Sequence, residues 1–173
     1  MKQVLQRMAE YNIKASEALL AIIDKAPLDL SSKEVGIYYK SIDGTIEHTA
    51  WASVLWLKRF SGFGTYPCLE SSPLLARPMD EFTAEMKGNK TRSVAVLRES
   101  GALLARFIDE LPVPEFERRV SYTTTDGKTL ERTMWHAIFH VLNHATHHRG
   151  EISAVLDQNG VSNDFSGFSL YIH

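Results

Sequence analysis

Apolar side chains recur at three- and four-residue spacing over most of this chain, the period of helices with one buried face. Residues 2–25 carry Val4, Leu5, Met8, Asn12, Ala15, Ser16, Leu19, Leu20 and Ile23 at that spacing, which predicts an amphipathic helix ending before Pro27. Residues 26–41 read as a loop, with Ser41 placed to cap a second helix that begins at Ile42. From Ile42 to Phe60 the apolar positions run nearly all round the wheel (Ile46, Ala50, Trp51, Val54, Leu55, Trp56, Leu57), the pattern of a central buried helix. The Gly/Pro/Ser-rich stretch Ser61 to Pro78 is too long for a simple connection, and a short helix is predicted over 79–87. Thr91 to Leu111 gives a third long helix with Val94, Leu97, Leu104, Phe107, Ile108 and Leu111 inward, stopped by Pro112. Val120 to Leu130 alternates β-formers around Asp126-Gly127, a hairpin signal. A last long helix is predicted over 132–159, with its stop at Gly160. The aromatic tail, Phe165 to Ile172, is expected to pack back. Four long helices and one hairpin before the last predict an all-α four-helix bundle forming a single domain over 1–173.

Chemistry enters with the last helix. Five of the seven histidines fall in it: His136, His140, His144, His147 and His148. Residues four apart on a helix share one face with Cβ atoms about 6 Å apart, close enough for two imidazoles to hold one metal ion. A ladder from His140 to His148 would span about 12 Å at 1.5 Å rise per residue, too long for one ion, so one neighbouring pair serves. The apolar stripe of this helix is Met134, Ile138, Leu142, Ala145, Ile152 and Leu156, and the histidines closest to it are His144 and His148. His140, His147 and His136 lie progressively further toward water. The competing reading is a row of surface histidines on a solvated helix.

A bundle builds metal sites from facing helices, so a third ligand is expected from another one. His48 heads the stripe Trp51, Ala52 and Leu55 in the buried second helix. A buried imidazole needs a partner there, either a metal ion or a backbone carbonyl. Glu151, three residues after His148, is either a hydrogen-bond acceptor for a ligand imidazole or a solvated charge. His140 is expected to flank the site without ligating. Glu is missing from the second position of the pair, so the zinc-peptidase motif is excluded.

Composition narrows the function classes. The net charge is −2 with Lys and Arg scattered, which gives no basic footprint for nucleic acid. The single Cys68 excludes an internal disulfide, suits a reducing compartment, and in its Gly/Pro-rich loop reads as incidental rather than nucleophilic. Neither a signal peptide nor a run of about 20 apolar residues is found, so a cytoplasmic protein without membrane attachment is expected. A serine hydrolase is disfavoured: there is no Gly-x-Ser-x-Gly elbow, and Ser166-Gly167 lacks the strand-turn-helix context. No phosphate-binding glycine loop occurs either.

The segment from Tyr39 through Ser41-Ile42-Asp43-Gly44 to His48, continuing to Trp51 and Phe60, resembles the second helix of the DinB (damage-inducible, YfiT-like) family. Asn143-His144-Ala145-Thr146-His147-His148-Arg149-Gly150 with Ile152 resembles that family's other hallmark, and Tyr11-Asn12 and Asp164 through Tyr171 add to the likeness. The resemblance covers essentially the whole chain. It implies a four-helix bundle holding one divalent ion by three histidines, here His48, His144 and His148, the trio that helical geometry also selects. It further implies kinship with thiol-dependent maleylpyruvate isomerases and S-transferases, and a homodimer. An interface at the aromatic helix ends and tail, with Tyr11, Phe165, Phe168 and Tyr171 exposed, is compatible with that expectation. Ser53 departs from the pattern, since relatives often carry an acidic residue there.

Three neutral imidazoles leave an open position on zinc or nickel, the pattern of catalytic rather than structural sites. The expected activity is a metal-dependent transfer of a low-molecular-weight thiol to a small electrophile, or a related hydrolysis. The alternative is a non-catalytic, stress-associated metal-binding module.

Overall fold

A computed structural model describes residues 1–165 and 167–171. Ser166, Ile172 and His173 lie outside the described residues, and with them the Ser166-Gly167 pair and the end of the tail. Four long helices form the body: α1 (Lys2–Ile23), α2 (Ile42–Ser61), α6 (Lys90–Glu110) and α7 (Met134–Gln158). The shorter elements are α3 (Pro67–Glu70), α4 (Pro73–Ala76), α5 (Met79–Met86), the hairpin β1 (Arg119–Thr123) and β2 (Thr129–Thr133), and α8 (Phe168–Tyr171). Both α1 and α2 pack between α6 and α7, which closes the four into a bundle.

Local sequence explains the boundaries. Ser41 caps α2 by accepting from the Gly44 N–H at 3.1 Å, and Asn89 caps α6 by accepting from Arg92 N–H at 3.0 Å. Helix α7 ends where Gly160 takes a φ of +71°, a left-handed turn that glycine makes without strain. The hairpin pairs Thr123 with Thr129 and Arg119 with Thr133, and Gly127 at φ +84° turns it. The long connection after α2 holds two helical turns, α3 and α4, each opened by a proline at its first position. Cys68 therefore sits in a helical turn with 1% exposure, and burial pushes its thiol up to about 11. Such a thiol is not a nucleophile at neutral pH, in line with its incidental reading.

The tail does pack back on the bundle. The Phe168 and Tyr171 rings of α8 stand 5.4 and 6.1 Å from the Tyr11 ring of α1. One expectation is corrected by this packing: Tyr11 and Phe165 are buried, at 5% and 3% exposure, so neither is an exposed aromatic. Among the described residues, no helix is long and apolar enough to cross a membrane.

Candidate metal centre

The packing of α2 on α7 brings three imidazoles together. His48 lies in the second turn of α2, while His144 and His148 are stacked one turn apart on α7. The Nε2 of His144 is 3.3 Å from Nε2 of His48 and 3.0 Å from Nε2 of His148. His148 is buried and the other two are half-buried. The ligand nitrogens of all three lie within 4.8 Å of one another.

Glu151 settles how the innermost ring is oriented. Its Oε2 is 2.6 Å from Nδ1 of His148, a short contact that marks an N–H donated to a carboxylate. With the proton on Nδ1, the Nε2 lone pair of His148 is bare and faces the other two rings. His147, His148 and Glu151 form a second group with ligand atoms close together. Glu151 is there hydrogen-bonded to His148 Nδ1, and His147 is exposed, so the convergent point is the His48, His144 and His148 trio. His140 stands apart, its ring 5.2 Å from Trp56 and 6.0 Å from His144. His136 is exposed beside Trp135.

The electrostatics favour neutral rings. Burial pushes the His48 imidazole down to about 4, with His148 adding to the fall and Glu151 opposing it. Burial, then the crowding of His148, His48, His140 and His147, pushes His144 down to about 4 as well. Both therefore present lone pairs at neutral pH, as metal ligation requires. Bonds near 2.1 Å to one ion would set tetrahedral ligand nitrogens about 3.4 Å apart and facial octahedral ones about 3.0 Å apart. The observed separations of 3.0 and 3.3 Å fit a shared divalent ion.

A strap from Ile37 to Ser41 covers one side of the trio. The Tyr39 ring stacks on the His48 ring with centroids 3.8 Å apart and planes 14° from parallel, and its Oη is 2.8 Å from Nε2 of His48. The strap is held by the Lys40 N–H donating to Ile37 O and the Val35 N–H to Lys40 O, both at 2.8 Å. It also needs Lys40 at φ +69°, and it needs Gly44: a Cβ at that position would lie 2.1 Å from the Tyr39 carbonyl oxygen. Burial, then Tyr38 and Glu151, pushes the Tyr39 phenol above its ordinary range, so it is a hydroxyl at neutral pH.

Two residues of the family-like segments had no role assigned from the sequence. Tyr39 lies in a loop, where no periodicity points to a site. Arg149 is buried at 5% exposure, its guanidinium 5.1 Å over the Tyr11 ring and hydrogen-bonded to Thr146 Oγ1 at 2.9 Å. The signal for it was present, because Arg149 stands seven residues from both Leu142 and Leu156 and so within the apolar stripe. Ser53 turns its hydroxyl back to the Thr49 carbonyl at 2.8 Å and lines a cavity of about 180 Å³ between the four long helices. The histidine trio does not line that cavity.

The DinB family model matches residues 1–169. The protein DinB of Bacillus subtilis (strain 168) is 26% identical over 167 residues, which cover 96% of this chain and 92% of that protein. No solved structure matches the chain. With that match running through both histidine-bearing helices, the chain belongs to the DinB family.

Proposed function

We propose that the protein holds one divalent ion, zinc or nickel, through Nε2 of His48, His144 and His148, and uses it on a low-molecular-weight thiol and a small electrophilic substrate. The observation that carries the proposal is the convergence of three imidazoles, with Nε2 of His144 3.3 Å from that of His48 and 3.0 Å from that of His148, all three ligand atoms within 4.8 Å of one another, and the innermost ring hydrogen-bonded to Glu151. A divalent ion so held supplies Lewis acidity, lowering the pKa of a coordinated thiol or water. The chain's own contributions are separable from that. Burial keeps the His48 and His144 rings neutral at physiological pH, Glu151 keeps the His148 lone pair aimed inward, and packing of α2 on α7 fixes the bite.

Thiol transfer is favoured over hydrolysis only by the family resemblance; both need an open coordination position. The non-catalytic binding module remains the second reading, because Tyr39 already covers one side of the trio. The discriminating experiment is cobalt substitution followed by thiol addition. A sulfur-to-metal charge-transfer band supports the transferase, and its absence with every common cellular thiol moves the binding module ahead.

A homodimer in the cytoplasm completes the proposal. Exposed Phe168 and Leu170 on the tail, at 41% and 60% exposure, are compatible with an interface, and the free buried Cys68 suits a reducing compartment. Light scattering that returns one 19.5 kDa chain at micromolar concentration counts against the dimer. Neither nucleic acid nor membrane is proposed as a partner.

A further inference from the structure

The strap residue Tyr39 makes a contact with His48 that is informative in its direction. An imidazole lone pair lies in the plane of its ring. Tyr39 is stacked 3.8 Å from His48 and only 14° from parallel, so its ring and hydroxyl stand above that plane. The Oη is nevertheless 2.8 Å from Nε2. It therefore sits beside the line along which Nε2 would bind an ion, without blocking it. Direct ligation by the phenol would require the ring to slide off its stack. The Tyr39 ring also makes near-perpendicular contacts with the Tyr38 ring at 4.8 Å and the His148 ring at 5.5 Å. The backbone beneath is pinned by the Ile37 and Lys40 hydrogen bonds and by the close approach at Gly44.

We infer that Tyr39 is a positioning residue for whatever occupies the ion's open position: its hydroxyl donates a hydrogen bond to an anionic donor atom bound there. The inference rests on the three-histidine metal reading and adds the chemical class of the preferred ligand. A phenol with an ordinary pKa near 10 is a hydrogen-bond donor at neutral pH. Aimed at a position next to a cation, it favours a small anion such as a thiolate, azide or hydroxide over a neutral ligand. It also explains why a tyrosine is held so tightly in a segment with no helix or strand to support it. A hydrogen bond to a charged group contributes about 1.5–3 kcal/mol, so the loss on removing it is measurable as roughly tenfold or more.

The test uses the full chain loaded with cobalt(II), whose visible bands report both loading and ligand exchange. Tyr39→Phe keeps the ring and its stacking and removes only the hydroxyl. Cobalt affinity is expected to stay within about threefold of the parent, while azide and 2-mercaptoethanol bind roughly tenfold more weakly and imidazole, a neutral ligand, is unaffected. Equal anion affinities in parent and Tyr39→Phe overturn the inference and leave the metal reading standing. A collapse of cobalt affinity in Tyr39→Phe also overturns it, since the phenol would then be a ligand. If the parent fails to bind cobalt at all, the metal reading itself is overturned, and the inference with it.

Discussion

Glu151 Oε2 lies 2.6 Å from Nδ1 of His148, and through that one contact a surface-proximal carboxylate sets the tautomer of the most buried imidazole among the described residues. Replacing Glu151 with Ala frees the His148 ring to flip and lets its proton move to Nε2. Loss of such an outer partner costs about 10–100-fold in metal affinity in comparable sites. Glu151→Ala is therefore expected to weaken zinc binding by that range, and Glu151→Gln by less, because its amide oxygen still accepts from Nδ1–H. Competition with a chromophoric chelator measures both; zinc affinity unchanged in Glu151→Ala contradicts the role.

Acid should act on the metal-free protein through two of the same rings. His48 and His144 are pushed down to about 4 from an ordinary 6.5, chiefly by burial. Between these limits the unfolded chain binds protons that the folded chain refuses, so stability falls as the pH falls. The contribution of the two rings is fully present above about pH 6.5 and lost by about pH 4. Thermal unfolding of chelator-treated protein should show a midpoint that drops steadily across this window. His144→Gln, which keeps a polar side chain but has nothing to titrate, should flatten the slope; identical slopes in the two proteins would argue against buried neutral rings.

Gly44 ties the strap to the helix that carries His48. A methyl group there meets the Tyr39 carbonyl oxygen at 2.1 Å and its carbon at 3.3 Å, both backbone atoms that cannot rotate away. Gly44→Ala is expected to cost about 1–3 kcal/mol through this overpacking, visible as a lower urea midpoint. Zinc affinity should change little, because all three histidines stand on helices. An unaltered urea midpoint would show that the strap is free to move.

The bundle and the histidine trio were largely legible because both rest on helical periodicity. The Leu142 stripe placed His144 and His148 at the edge of the core, and the apolar surface around α2 placed His48 inside it. What stayed hidden depends on contacts distant in sequence. Tyr39 reaches the site from a loop whose shape comes from a left-handed Lys40 and a missing Cβ at Gly44, neither of which has a period. Arg149 is buried although charged, and Tyr11 is buried beside a tail that lies far along the chain. Helical pattern shows which face is inward, but not which loop or terminus will cover the rest.

Metal analysis of the untagged protein, with single alanine variants along α7 and at His48, decides whether the three histidines hold an ion. About one divalent ion per chain is expected in the parent, in His136→Ala and in His147→Ala. His48→Ala, His144→Ala and His148→Ala should each lose most of it while remaining helical by circular dichroism. Full metal occupancy in folded His148→Ala would contradict the three-histidine site, because among the described residues no group of three candidate ligands omits His148.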